Sequence, residues 1–264
     1  MTMFTVITAT LNALPLLKRT ADSIFRQSFS DWQWIVIDGA SIDGTAEWLK
    51  VASDSQDGRV FYICEPDQGI YDALNKAVAR VRGQWVLFLG AGDSLYERDT
   101  LERCLPYLRG CPRQFSLVYG AVLTIQDIAD TDGEVFDRPW LGTRGPWESG
   151  RPAMPCHQGV FHRAEIFLSG FRFNPRWSLA ADGELLLGEL LAGRGLHIDV
   201  VVSRMLWGGT STRRDNRLRL IVEVLQINRA LGIFWSRPML QLILLGSHLV
   251  RRGLKILTRG RIQS

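Results

Sequence analysis

A chain of 264 residues, 46% hydrophobic and 22% charged, has enough apolar mass for one large domain with a sizeable core, or one domain plus a tail. Its net charge of +4 is uneven, because Arg237, Arg251, Arg252, Lys255, Arg259 and Arg261 follow one another with no acid among them. The body is therefore slightly acidic, which excludes a nucleic-acid-binding core and leaves a basic appendage. Cys64, Cys104, Cys111 and Cys156 fall at no metal-ligand spacing and are expected as reduced thiols, as in a cytosolic compartment. The chain runs straight into a strand pattern, with no export signal ahead of it.

Residues 4–10 (FTVITAT) are β-branched and apolar and predict a strand. Asn12 follows in a loop, then Leu16, Leu17, Ala21, Ile24 and Phe25 at helical spacing. Residues 34–38 (WIVID) predict a second buried strand ending in Asp38, followed by a polar turn and a short helix over 45–51. A third strand over 60–64 leads through Asp67 to a helix with Ile70, Leu74, Ala77, Val78 and Val81 on one face, expected to stop at Gly83. Residues 83–94 (GQWVLFLGAGDS) then combine a strand apolar on both faces with a tight Gly90-Ala91-Gly92 turn that delivers Asp93. Strand–helix alternations with short linkers imply a parallel sheet with right-handed crossovers, and ligands bind at the carboxyl ends of such strands.

After Asp93 the rhythm changes. A helix is expected over 99–108, and a long strand over 116–125 that pairs with 134–137 across the Asp132-Gly133 turn. The loop over 138–156 holds four prolines together with Trp140 and Trp147, which either stack on an acceptor sugar or close the loop over the core. A strand over 160–162, helices over 164–168 and 179–191, and a last strand over 197–203 complete a body assigned to residues 1–215, with a donor-binding half over 1–95 and an acceptor half over 96–215. Residues 216–264 are expected as a basic amphipathic helical tail. On a helical wheel of residues 240–259, His248, Arg251, Arg252, Lys255 and Arg259 share one sector opposite a leucine- and isoleucine-rich one, a pattern for peripheral membrane contact.

The blocks FTVITATLN, WIVIDGASIDGT, EPDQGIYDALNKAVARVRGQWVLFLGAGD, HQGVF and LAADGELL together resemble family 2 glycosyltransferases of the α/β GT-A fold. The resemblance is closest to the branch that builds bacterial exopolysaccharides and lipid-linked glycans, and it covers about residues 3–211. It implies a nucleotide-diphosphate sugar donor, a glycan or lipid-linked acceptor, a divalent metal (Mg²⁺ or Mn²⁺), and work at the inner face of the cytoplasmic membrane. By the same resemblance Thr8, Thr10, Asn12, Asp38, Asp67, Lys76 and Gly92 border the donor nucleotide, Asp93 is the metal ligand, and Asp182 is the general base.

Chemistry agrees with that set. Breaking an anomeric bond to a diphosphate calls for a cation at the leaving group, and single displacement calls for a carboxylate that deprotonates the acceptor hydroxyl. The chain departs from the family at Gly90 and Gly92, where the fuller Asp-x-Asp motif carries acids. His157 is a candidate to supply the missing ligand or to contact acceptor or phosphate, as Trp147 is for the acceptor, and Glu184 is the second candidate base. A catalytically silent nucleotide-sugar-binding scaffold remains the alternative, and a sugar nucleotidyltransferase ranks below it because no Gly- and Arg-rich loop follows the first strand.

Overall fold

The computed structural model describes residues 2–209 and 214–233, so the amphipathic pattern over 240–259 lies outside the described residues. Strands β1 (Phe4–Thr10), β2 (Trp32–Asp38), β3 (Val60–Cys64) and β4 (Trp85–Phe88) form a parallel set in the order β3-β2-β1-β4. They alternate with helices α1 (Leu14–Phe25), α2 (Thr45–Asp54) and α3 (Ile70–Val78). Strand β5 (Ser94–Leu95) and helix α4 (Thr100–Arg109) follow. The expected hairpin forms between β6 (Leu117–Ile125) and β7 (Glu134–Phe136). The sheet then continues from β4 through β10 (Val160–Arg163) and β6 to β11 (Gly195–Leu206) and β5. Strand β10 is antiparallel to both of its neighbours, so the second half of the sheet is mixed. The proline-rich loop carries a small hairpin, β8 (Trp147–Glu148) with β9 (Arg151–Pro152). Helices α5 (Glu165–Leu168), α6 (Ala181–Leu191) and α7 (Arg217–Ala230) complete the described elements.

Strands β1, β2 and β4 are buried on both faces, which is why they read as unbroken apolar runs. On one face Val6, Trp34, Val36, Trp85 and Leu87 pack under α1, α2 and α4 through Leu17, Ile24, Leu49 and Leu101. On the other, Ile7, Ile35, Ile37, Val86 and Phe88 pack under Leu74 and Ala77 of α3, Phe167 of α5 and Leu185 of α6. Val224 and Ile227 of α7 join this second cluster. The helix over 217–230, placed in the tail from sequence, is thus seated on the body. No helix among the described residues is long and apolar enough to cross a membrane.

Gly83 has a different task from the one expected. Helix α3 already ends at Val78, with Ala79 as its C-cap. Gly83 instead lies against β1: a Cβ there would stand 2.5 Å from the Thr5 nitrogen and 2.6 Å from the Phe4 carbonyl carbon. Its own N–H donates to Thr5 Oγ1 at 2.9 Å. Backbone at that range cannot yield as a side-chain tip would, so Gly83→Ala is expected to destabilise the protein by about 1–3 kcal/mol. Urea denaturation measures this as a lowered midpoint.

Candidate active site

The turn after β4 is built by three groups. Gly92 adopts φ +103°, a conformation that side chains rarely tolerate. Thr20, buried on α1, accepts the Gly92 N–H at 3.0 Å and donates to the Asp93 carbonyl at 2.7 Å. The Asp93 carboxylate accepts the N–H of Gly90 at 2.9 Å on one oxygen and the N–H of Leu206, at the end of β11, at 3.0 Å on the other. Asp93 thereby ties the turn after β4 to the end of β11.

Asp93 is only 5% exposed, and burial pushes its carboxyl up to about 6 against the pull of the Leu206 and Gly90 N–H groups. The folded protein therefore holds this proton to a higher pH than the unfolded chain, whose carboxyl titrates near 3.8. The associated stability is complete below the unfolded value and is lost as pH rises through about 6, a change of about 3 kcal/mol. With metal removed by chelator, urea denaturation across this window is expected to show a falling stability that Asp93→Asn flattens.

Asp93 lines a cleft of about 360 Å³ at the carboxyl ends of β1 and β4. Thr10, Leu11, Gly90 and Ala91 share its wall with Ile70 and Tyr71 of α3, with His157 and Gln158, with Leu179 and Asp182, and with Trp207 to Gly209 after β11. The Thr10 hydroxyl is buried there with no partner among the described residues. The expected acids Asp93 and Asp182 thus meet in one cleft although 89 positions separate them in the chain.

Asp182 lies in the first turn of α6, whose entry is fixed from α7. There the buried Glu223 carboxylate accepts the N–H groups of Ser178 and Leu179 at 3.0 and 2.9 Å and the Ser178 hydroxyl at 2.8 Å. Tyr71 donates its hydroxyl to Asp182 Oδ1 at 2.7 Å. His157 Nδ1 stands 3.6 Å from Asp182 Oδ2, and His157 Nε2 lies 3.1 Å from Nε2 of His162. Burial lowers the affinity of both imidazoles for a proton, strongly so for His162, and keeps them neutral at pH 7. Burial and the neighbouring Asp182 raise the Tyr71 phenol well above its usual range, so it remains a donor. Glu184 is not among the residues of the cleft wall.

The other expected site residues divide. Asn12, at φ 49°, donates its N–H to Ser41 Oγ at 2.7 Å, and its side chain accepts the Ile42 N–H at 2.9 Å, joining the loops after β1 and β2. Asp38 is buried and accepts the N–H and hydroxyl of Ser41. Asp67 accepts the Gly69 N–H at 2.9 Å and lies against Gly39. None of these three lines the cleft, and three further expected side chains also lie outside its wall. Thr8 faces the core and accepts the Trp34 indole N–H at 3.0 Å. Lys76 is held by Glu65 at 2.9 Å and the Pro66 carbonyl at 2.9 Å. Trp147 donates to the Thr143 carbonyl at 2.9 Å, closing its own loop. Tyr71, His162, Gln158 and Glu223 were not singled out from sequence. Tyr71 was legible as the polar-tipped aromatic in the first turn of α3, beside the acidic block.

Among the described residues no cluster of three or more His, Cys, Asp or Glu side chains is arranged to hold a metal. Asp93 is the one carboxylate at the turn, and both of its oxygens already accept a backbone N–H while retaining further lone pairs. That donor set fits a Mg²⁺-type ion that takes one carboxylate and fills its remaining positions with phosphate oxygens and water.

The glycosyl transferase family 2 profile matches residues 5–132. The PGL/p-HBAD biosynthesis glycosyltransferase of Mycobacterium bovis is 32% identical over 264 residues, covering 98% of this chain and 94% of that protein. The putative teichuronic acid biosynthesis glycosyltransferase TuaG of Bacillus subtilis is 33% identical over 128 residues, 47% of this chain and 49% of TuaG. Among solved structures, the mannosyltransferase PcManGT of Pyrobaculum calidifontis, bound to GDP-Man and Mn²⁺, superposes with a TM-score of 0.61 at 16% identity over 99% of this chain and 80% of that one. Residues 1-349 of S. aureus TarS with UDP superpose with a TM-score of 0.60 at 16% identity, over 89% and 71% of the two chains. The fold is the GT-A fold, and the chain is a glycosyltransferase that belongs to glycosyl transferase family 2.

Proposed function

We propose that this enzyme transfers a sugar from a nucleotide-diphosphate sugar to a lipid-linked or growing glycan acceptor, with inversion at the anomeric carbon. The observation that carries the reading is the meeting of Asp93 and Asp182 in one cleft, on different elements. Asp182 takes the proton of the acceptor hydroxyl as that oxygen attacks the sugar. Asp93 holds a divalent cation, which when bound supplies positive charge to the departing diphosphate. Asp38, Asn12 and Asp67 shape the loops that border the nucleotide. The cation is supported by solved neighbours that contain Mn²⁺, PcManGT among them. The acceptor class is supported by relatives named for PGL/p-HBAD and teichuronic acid biosynthesis.

Turnover of a panel of UDP- and GDP-sugars, with and without Mn²⁺, tests the reading. Cation-dependent consumption of one donor is expected. Nucleotide binding without turnover of any donor or acceptor would favour the scaffold alternative, for which Gly90 and Gly92 in place of acids are the motive. We also assign the basic pattern over 240–259 to contact with an anionic membrane surface. Deleting residues 238–264 is expected to abolish sedimentation with anionic vesicles while nucleotide binding persists; undiminished sedimentation would remove the tail from the account.

A further inference from the structure

We propose that His162, which does not line the cleft, is a positioning residue that acts through His157 to orient the carboxylate of Asp182. The inference rests on the assignment of Asp182 as general base. His162 is fully buried on β10, with the rings of Phe88 and Phe167 at 5.3 and 5.9 Å. A histidine in such a place ordinarily satisfies its polar atoms or is replaced by an apolar residue. Here only Nε2 has a partner, His157 Nε2 at 3.1 Å, and Nδ1 has none among the described residues.

Two neutral imidazoles that meet nitrogen to nitrogen must divide the roles of donor and acceptor, and the surroundings decide which is which. If His157 donated to His162, the Nδ1 of His157 would turn a lone pair toward Asp182 Oδ2 at 3.6 Å, and His162 would bury an unpaired N–H. In the opposite arrangement the His162 Nε2–H donates to His157, and the His157 Nδ1–H points its positive end at the carboxylate. The unpaired atom is then an acceptor lone pair rather than an N–H. Electrostatics selects this second arrangement. At 3.6 Å the last contact is longer than a hydrogen bond, but catalytic contacts tighten when substrate closes the site.

Because burial keeps both rings neutral, the pair does not take the proton that Asp182 removes from the acceptor. It faces Oδ2 from one side while the Tyr71 hydroxyl donates to Oδ1 from the other. His157 thereby meets His162 with one ring nitrogen and turns the other toward the base.

Donor turnover by His162→Phe and His162→Gln, beside Asp182→Asn, tests this. Phe fills the apolar site without the N–H, whereas the Gln side-chain amide places an N–H near the position of Nε2. His162→Phe is expected to lower kcat roughly 10–100-fold with donor KM within about twofold, and His162→Gln to recover most of the loss. Wild-type kcat in His162→Phe, or equal losses in both variants, would overturn the positioning role. Near-normal turnover by Asp182→Asn would instead overturn the base assignment on which it rests. Nitrogen-15 NMR of the unsubstituted enzyme gives an answer independent of either variant's folding. His157 is expected as the Nδ1–H tautomer, and an Nε2–H tautomer would contradict the proposal.

Discussion

Asp182→Asn is expected to lower kcat by about 10²–10⁴-fold while nucleotide affinity stays within about twofold of the unsubstituted enzyme. The amide is nearly isosteric and its oxygen can still accept the Tyr71 hydroxyl, which now stands 2.7 Å from Oδ1. It has no basic oxygen, however, and its N–H₂ would meet the His157 Nδ1–H as one donor against another. The entry to α6 is held independently by Glu223, so the loss is chemical rather than a collapse of the helix start. Initial-rate kinetics with a donor identified from the panel, together with calorimetry of nucleotide binding, separate the two effects. A similar loss in Glu184→Gln is not expected, since Glu184 does not line the cleft.

Asp93→Asn is expected to weaken Mn²⁺-dependent nucleotide binding by at least roughly a hundredfold, since even groups that support a metal ligand from behind change affinity by 10–100-fold. Asp93 is the one acid of the turn, and Gly90 and Gly92 offer no side chain to replace it. The substitution also disturbs the turn itself. Both oxygens accept backbone N–H groups, and an amide presents a donor to one of them, leaving the Gly90 or Leu206 N–H without its acceptor. Calorimetry with UDP and GDP at pH 7, with and without Mn²⁺, reads the cation-dependent part alone. In the unsubstituted enzyme that part is expected to fade as pH falls through about 6, where a buried proton competes with the cation for Asp93. Nucleotide binding that is equally strong with and without Mn²⁺ would remove the cation from the account.

The parallel half of the sheet was legible in the sequence for a physical reason. Strands buried on both faces leave long apolar runs, and Asp38 and Asp93 mark where such runs end at the carboxyl edge of the parallel set. The period-two alternation of β1 places Thr8 as well: Ile7 and Ala9 line the cleft, so Thr8 between them faces the Trp34 side. Other features depended on contacts that no local pattern encodes. The insertion of β10 between β4 and β6 joins segments far apart in the chain, and a four-residue strand carries no sign of its partners. The Tyr71–Asp182 hydrogen bond spans 111 positions. Gly83 resembled a helix stop because it followed an apolar helical face, yet its constraint comes from β1 passing within 3 Å of its missing side chain. Helix α7 is continuous in pattern with the helical tail expected from residue 216, but its Glu223 is buried as the anchor of α6.

Proton NMR of the sugar released from the preferred donor, recorded before mutarotation, tests the central claim most directly. A single displacement assisted by Asp182 predicts that the first anomer to appear has the configuration opposite to that of the donor, and that its formation collapses in Asp182→Asn. Release of the donor's own anomer would contradict the account.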